Sequence, residues 1–207
     1  MLNKENINDI IFDFGGVIIN IKYNDTINAF KALGIKNFNS MYNQVKQTRL
    51  FDQLETGHIS KINFIKEIKR FIPSDTPNEK IISAWNAMIK DVPKKTIEYL
   101  IALKSKGYRI FLLSNTNEIH IEEAIKSWNK TNYPKPEKIF NNIYLSHKIG
   151  MRKPNKEVFT FICDKESLEP SKTLFVDDSI QHIEGAKSIG LNTHHLLNQV
   201  DIYSLFS

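Results

Sequence analysis

Five short runs of β-branched and aromatic residues, at 10–14, 109–113, 142–145, 173–176 and 193–197, are separated by stretches with helical spacing. A strand that is apolar at nearly every position must be covered on both faces. Helices crossing over between such strands provide that cover in a parallel sheet. The helical stretches fall at 94–106, 118–128, 155–163 and 181–189; the first places Ile97, Leu100, Ile101 and Leu103 on one stripe and stops at Gly107. The chain is therefore expected to fold as α/β, around a parallel sheet.

The alternation is interrupted once. About ninety residues separate the first two strands, where a crossover needs about a dozen. Helical patterns at 26–33, 39–49, 60–71 and 78–88, broken by Gly34, by Thr56-Gly57 and by the segment from Pro73 to Pro77, fill that gap. A small all-helical module is expected over 20–88, inserted into a core formed by 1–19 and 89–207.

Composition narrows the function classes. Hydrophobic residues at 41% and charged residues at 25% are those of a folded globular chain, which excludes a disordered tail, a collagen-like fibre or a membrane protein. The net charge of +5 is spread without a basic block, so no nucleic-acid partner is expected. The single cysteine, Cys163, cannot form an intramolecular disulfide and reads as a small buried hydrophobe. The first residues lack a signal-peptide core and no apolar run approaches the roughly 18 residues of a span, so a cytoplasmic protein without membrane contact is expected.

Polar residues recur where strands end. Asp13 follows the first strand in Ile10-Ile11-Phe12-Asp13-Phe14-Gly15-Gly16; it is either a turn aspartate or an acid aimed at an anion or a metal. Ser114 and Asn115 follow the second strand, as turn residues or as donors. Lys153, in Gly150-Met151-Arg152-Lys153-Pro154, precedes a helix whose dipole it opposes, so it is either solvated or neutralises a bound anion. Asp177 and Asp178 follow the fourth strand, and two adjacent carboxylates there favour a metal. In a parallel sheet all these residues share the carboxyl edge.

With these four motifs the chain resembles the haloacid dehalogenase (HAD) superfamily over 10–191. Within it, Leu113-Ser114-Asn115-Thr116-Asn117, Ile143-Tyr144-Leu145-Ser146, the lysine motif and Ile183-Glu184-Gly185-Ala186 look most like sugar-phosphate phosphatases similar to α-glucose-1-phosphatase. The resemblance implies a Rossmann-like sheet of order 3-2-1-4-5 with a helical cap after the first strand. It implies an Asp13 nucleophile that forms an aspartyl-phosphate, and Mg²⁺ held by Asp13, the Gly15 carbonyl and Asp178, with Asp177 holding a water of the metal. Ser114, the Asn115 backbone and Lys153 would bind phosphoryl oxygens and assist catalysis, with the Gly16 N–H as a further donor. The expected enzyme is a Mg²⁺-dependent phosphatase, a monomer acting on a small phosphorylated metabolite, with sugar 1-phosphates favoured.

One departure matters: Gly15 stands where such phosphatases usually place an acid/base aspartate. Glu55 and His58, in the loop Leu54-Glu55-Thr56-Gly57-His58, are candidates from the cap for that proton transfer; for catalysis an exposed helix connection is the favoured reading, and the loop is expected to gate substrate choice. Trp85 and Asn86 could join them at the cap mouth, although a core position for Trp85 is an equal expectation. His194 and His195 alternate on one strand and form no metal pair. A 2-haloacid dehalogenase also lacks the second acid, but it needs no metal, and no arginine lies between Asp13 and Arg49 to receive halide. A phospho-ligand-binding protein without turnover is the third reading.

Overall fold

The computed structural model describes residues 6–42 and 49–206. The chain begins with β1 (Asp9–Phe12) and continues into α1 (Tyr23–Ala32), α2 (Phe38–Met41), α3 (Arg49–Glu55), α4 (Lys61–Ile68) and α5 (Asn78–Asn86). The alternation resumes with α6 (Lys94–Ser105), β2 (Arg109–Ser114), α7 (Glu118–Asn129), α8 (Pro136–Ile139) and β3 (Asn142–Leu145). It ends with α9 (Ser146–Ile149), α10 (Lys156–Glu166), β4 (Thr173–Asp177), α11 (Ile180–Lys187) and β5 (Asn192–His195), with 3₁₀ turns at Pro170–Lys172 and Gln199–Ser204.

The five strands form one parallel sheet of order β3-β2-β1-β4-β5, as expected. Alternate residues of the central strands feed two separate cores. Ile10, Phe12, Ile110, Leu112, Leu174 and Val176 face α6, α7 and the carboxyl-terminal turn. Ile11, Phe111, Leu113 and Phe175 face α10 and α11, where Val158, Phe159, Ile162 and Ile183 meet them. This two-sided burial is why the strands read as continuous apolar runs. Phe12 pairs with Leu112 on one side and Val176 on the other, so Asp13 leaves the sheet beside Leu113 and Asp177.

The inserted segment is helical and builds its own core from Phe30, Phe38, Tyr42, Phe51, Phe64 and Trp85. Its two connections to the sheet pair with each other: Asn20 N–H donates to the Asp91 carbonyl, Lys90 N–H to Asn20, and Lys22 N–H to Met88. Ile21 and Ile89 form an antiparallel bridge between these bonds. The helix expected at 39–49 is not found as such: only α2 occupies its start, and 43–48 lie outside the described residues. The loop expected at 54–58 is in part the end of α3, because Phe51, Leu54 and Glu55 sit on one buried stripe. Gly57, at φ +73°, follows it; a Cβ there would come within 2.2 Å of the His147 carbonyl oxygen, so this turn rests directly on α9.

Candidate active site

The four polar strand ends converge at the carboxyl edge of the sheet, where a single lysine organises them. Lys153 is fully buried, and its Nζ donates to Asp13 Oδ1 at 2.5 Å, to Asp177 Oδ2 at 2.7 Å and to the Leu113 carbonyl at 3.0 Å. Of the two readings open in the sequence, the structure excludes a solvated lysine. An ammonium with three donors and three acceptors is satisfied without water. The segment carrying it is clamped by Asn115, whose Oδ1 accepts from the Lys153 N–H at 2.9 Å and whose Nδ2 donates to the Lys153 carbonyl at 2.8 Å. The Asn115 side chain thus has a structural duty that the sequence did not announce. Ser114 ends β2, buried, and lines the same cavity as Asp13.

Burial pushes the Asp13 carboxyl up and Asp177 adds to this, while Lys153 and His182 oppose it; the net direction is upward. Burial alone would also raise Asp177, but Lys153 and His182 draw it down to about 2. Burial, Asp13 and Asp177 push Asp178 up to about 7. The Lys153 ammonium is opposed by burial, yet the two carboxylates raise it. One oxygen from each of Asp13, Asp177 and Asp178 lies within 4.8 Å of the others. Three clustered carboxylates against one ammonium leave surplus negative charge, so the all-oxygen donor set fits a divalent cation. Asp13 and Asp178 line the cavity and would hold it. Asp177 is turned away: Oδ1 accepts from the Ser179 N–H at 2.8 Å, and both its oxygens lie 3.0 Å from His182 Nδ1.

Two expected roles change. The Gly16 N–H donates to the Ile19 carbonyl at 2.8 Å, so it is not a phosphoryl donor. Gly16 matters sterically instead: at φ +79°, a Cβ there would meet Asp178 Oδ2 at 2.4 Å, so glycine is what admits that carboxylate. His58 is exposed, with Nδ1 2.7 Å from Thr56 Oγ1, and it does not line the cavity that Glu55 lines. The expected pair Glu55 and His58 is thereby divided.

Opposite the strand ends, the cavity is closed by Tyr23, Tyr42 and Glu55 of the cap and by Arg152 and His120 of the core. The cavity has a volume of about 90 Å³ and opens to solvent. Glu55 is buried at the end of α3 and ion-paired with Arg152 Nη2 at 3.1 Å; Arg152 Nη1 also meets Asp52 Oδ1 at 2.7 Å. Burial raises both tyrosine hydroxyls, and Glu55 adds to the effect on each. Trp85 takes the core position, fully buried, while Asn86 is partly buried at the end of α5 and is not among the residues that line the cavity. Arg152 was legible only as the neighbour of Lys153, and His182 only as a residue one helical turn past the acid pair. Tyr23, Tyr42 and His120 carried no signal in the sequence.

Outside the cavity, His195 Nε2 contacts the Asp178 carbonyl at 3.1 Å, and Cys163 is buried, its thiol pushed up to about 11 by burial. Among the described residues no helix is long and apolar enough to cross a membrane. The arrangement can present a lysine-paired carboxylate nucleophile to an electrophilic centre whose negative oxygens face a carboxylate cluster that would hold a cation.

A family model for haloacid dehalogenase-like hydrolases matches residues 10–195. The sequence is similar to a D-ribitol-5-phosphate phosphatase of Bacteroides thetaiotaomicron, 31% identical over 195 residues, which cover 94% of each chain. A solved structure of a HAD family enzyme from the same organism, in complex with magnesium and inorganic phosphate, superposes with a TM-score of 0.85 at 30% identity, covering 91% of this chain and 93% of that one. The (S)-2-haloacid dehalogenase 4A of Burkholderia cepacia matches over 102 residues at 28% identity, 49% of this chain and 42% of that protein.

Proposed function

The chain belongs to the haloacid dehalogenase-like hydrolases, and from that membership we propose that it hydrolyses a sugar phosphate through an aspartyl-phosphate on Asp13. It is a phosphoric monoester hydrolase acting on small phosphorylated molecules, with Mg²⁺ as cofactor. The observation that carries the finer reading is the pairing of buried Lys153 with Asp13 at 2.5 Å, beside a second cavity-lining carboxylate, Asp178. The chain's match to a dehalogenase covers only about half its length, against 94% for the phosphatase.

Asp13 Oδ attacks the phosphorus, the bond to the leaving oxygen breaks, and that oxygen departs with the bonding electrons. Lys153 steadies the ionised nucleophile, while Ser114 and the Asn115 backbone, which line the cavity, face the phosphoryl oxygens. Asp13, Asp178 and the Gly15 carbonyl would hold Mg²⁺, which would neutralise the carboxylates and the phosphoryl oxygens. Water then attacks the phosphorus of the aspartyl-phosphate and returns Asp13 to its carboxylate. Gly15 offers no proton to the departing oxygen, so the more acidic anomeric hydroxyl of a sugar 1-phosphate is the favoured leaving group.

Phosphate release from p-nitrophenyl phosphate with Mg²⁺ and with EDTA, together with chloride release from 2-chloropropionate, tests the reading. Metal-dependent phosphate release without chloride release supports it. Chloride release without phosphate release overturns it.

A further inference from the structure

Arg152 comes from the core segment that carries Lys153, and its two partners, Asp52 and Glu55, both lie on cap helix α3. Glu55 is only 3% exposed, which a carboxylate tolerates when it is paired. One guanidinium is shared by two carboxylates, of which Glu55 lines the cavity and Asp52 lies exposed outside it, so the three groups together carry a net negative charge. The neighbouring cation, Lys153, is committed to Asp13, Asp177 and a carbonyl. Tyr23 and Tyr42 add hydroxyl groups beside Glu55. Beyond the phosphoryl position, the wall therefore offers a charged acceptor, guanidinium donors and two hydroxyls, all of which pair well with alcohol groups. A second anion placed there would face Glu55 with like charge, while Asp52, outside the cavity lining, takes up part of the Arg152 charge that could offset it.

We propose that Glu55 and Arg152 set leaving-group specificity, accepting an uncharged polyhydroxylated leaving group and turning away monoesters that carry a second phosphate or a carboxylate. This inference rests on the phosphatase reading above. A site built to hydrogen-bond hydroxyls discriminates strongly, because its own polar groups are left unpaired by the wrong ligand.

The test is kcat/KM with Mg²⁺ for D-ribitol 5-phosphate, fructose 1,6-bisphosphate and p-nitrophenyl phosphate, in the wild type, Glu55→Gln and Asp52→Asn. The wild type should favour the polyol monophosphate over the bisphosphate by at least about 100-fold. Glu55→Gln should compress that ratio by at least about tenfold and lower the polyol rate relative to p-nitrophenyl phosphate. Asp52→Asn, on an exposed residue outside the cavity lining, removes one negative charge where folding is not at stake and should compress the ratio less. A wild-type ratio near one, or a ratio unchanged in both variants while p-nitrophenyl phosphate is turned over, overturns the specificity assignment alone. No phosphate release from any of the three substrates overturns the phosphatase reading and this inference with it.

Discussion

Trp85 and His120 lie face to face across the boundary between cap and core, their ring centroids 4.4 Å apart and their planes inclined by 19°. The His120 Nε2–H donates to the Trp85 carbonyl at 3.0 Å, and Nδ1 accepts from the Asn117 amide at 3.2 Å, which fixes the neutral tautomer. Trp85 Nε1–H returns to Asn117 Oδ1 at 3.3 Å, and the same oxygen accepts from the His120 N–H at the start of α7. A cap residue and a helix cap of the core are thus bound into one hydrogen-bonded unit that leaves no room for a charged imidazole.

This unit makes stability depend on pH. Burial pushes His120 down to about 4, against the Trp85 carbonyl bond that opposes the shift. The unfolded chain takes up its proton near pH 6.5, so between that value and 4 it binds more protons than the native state. The contribution is complete above pH 6.5 and is lost as the pH falls towards 4, amounting to about 3 kcal/mol over the whole window. Urea midpoints at pH 7 and pH 4.5 should therefore fall further in the wild type than in His120→Gln. Equal losses in both proteins would remove His120 as the cause.

Asp13→Asn keeps the size of the nucleophile and a partner for Lys153, so the protein should fold while phosphate release drops by about 10³-fold or more. Circular dichroism and a p-nitrophenyl phosphate assay check the two halves. Activity within tenfold of wild type would end the covalent mechanism.

Asp177 and Asp178 are adjacent in sequence but should fail differently. Asp178 is partly exposed beside Asp13 in the cavity, so Asp178→Ala should raise the Mg²⁺ concentration for half-activation by at least about tenfold with little change in Tm of the metal-free protein. Asp177 is wholly buried and bonded to Lys153, His182 and the Ser179 N–H. Removing it leaves a buried ammonium short of one partner, so Asp177→Ala should cost about 3–5 kcal/mol of stability before any metal is added. Thermal melts with EDTA, followed by Mg²⁺ titrations of activity, separate the two; identical behaviour of both variants would refute the division.

The sheet and its chemical edge were legible because strands buried on both faces must be apolar throughout and because ligands gather beyond their carboxyl ends. Asp13, Ser114, Lys153 and Asp178 could therefore be placed together from strand positions alone. What failed depended on long-range placement. The Gly16 N–H was read as a donor because nothing local revealed that Ile19 takes it. Glu55 and His58 were grouped because they are three residues apart, but α3 ends between them and turns one inward and the other to solvent. Tyr23 and Tyr42 reach the cavity only through the packing of α1 and α2 in the aromatic core of the cap, and no periodicity in the chain encodes that.

Gly15 allows the proton-transfer question to be put to the protein directly. A positioned general acid contributes about 10²–10⁴-fold when the leaving group is poor, so without one the phosphorylation of Asp13 should quicken steeply as the leaving alcohol becomes more acidic. A Cβ at Gly15 would lie 3.2 Å from Ile21 Cγ1, a contact tight enough that the Ile21 side chain must give by a few tenths of an ångström. Its backbone is not in the left-handed region, so Gly15→Asp is free of the strain that the same change at Gly16 would carry. The new carboxyl would stand two residues from the nucleophile at the floor of the cavity. Across a series of aryl phosphates of graded phenol acidity, the rate should therefore depend more weakly on acidity in Gly15→Asp than in the wild type, with the gain confined to the poorest leaving groups. Single-turnover kinetics is the right measurement, because slow hydrolysis of the aspartyl-phosphate would hide the first step in steady state. A shallow dependence already present in the wild type would show that a proton reaches the departing oxygen from elsewhere, and His182, held by Asp177 at the cavity wall, would be the first side chain to replace.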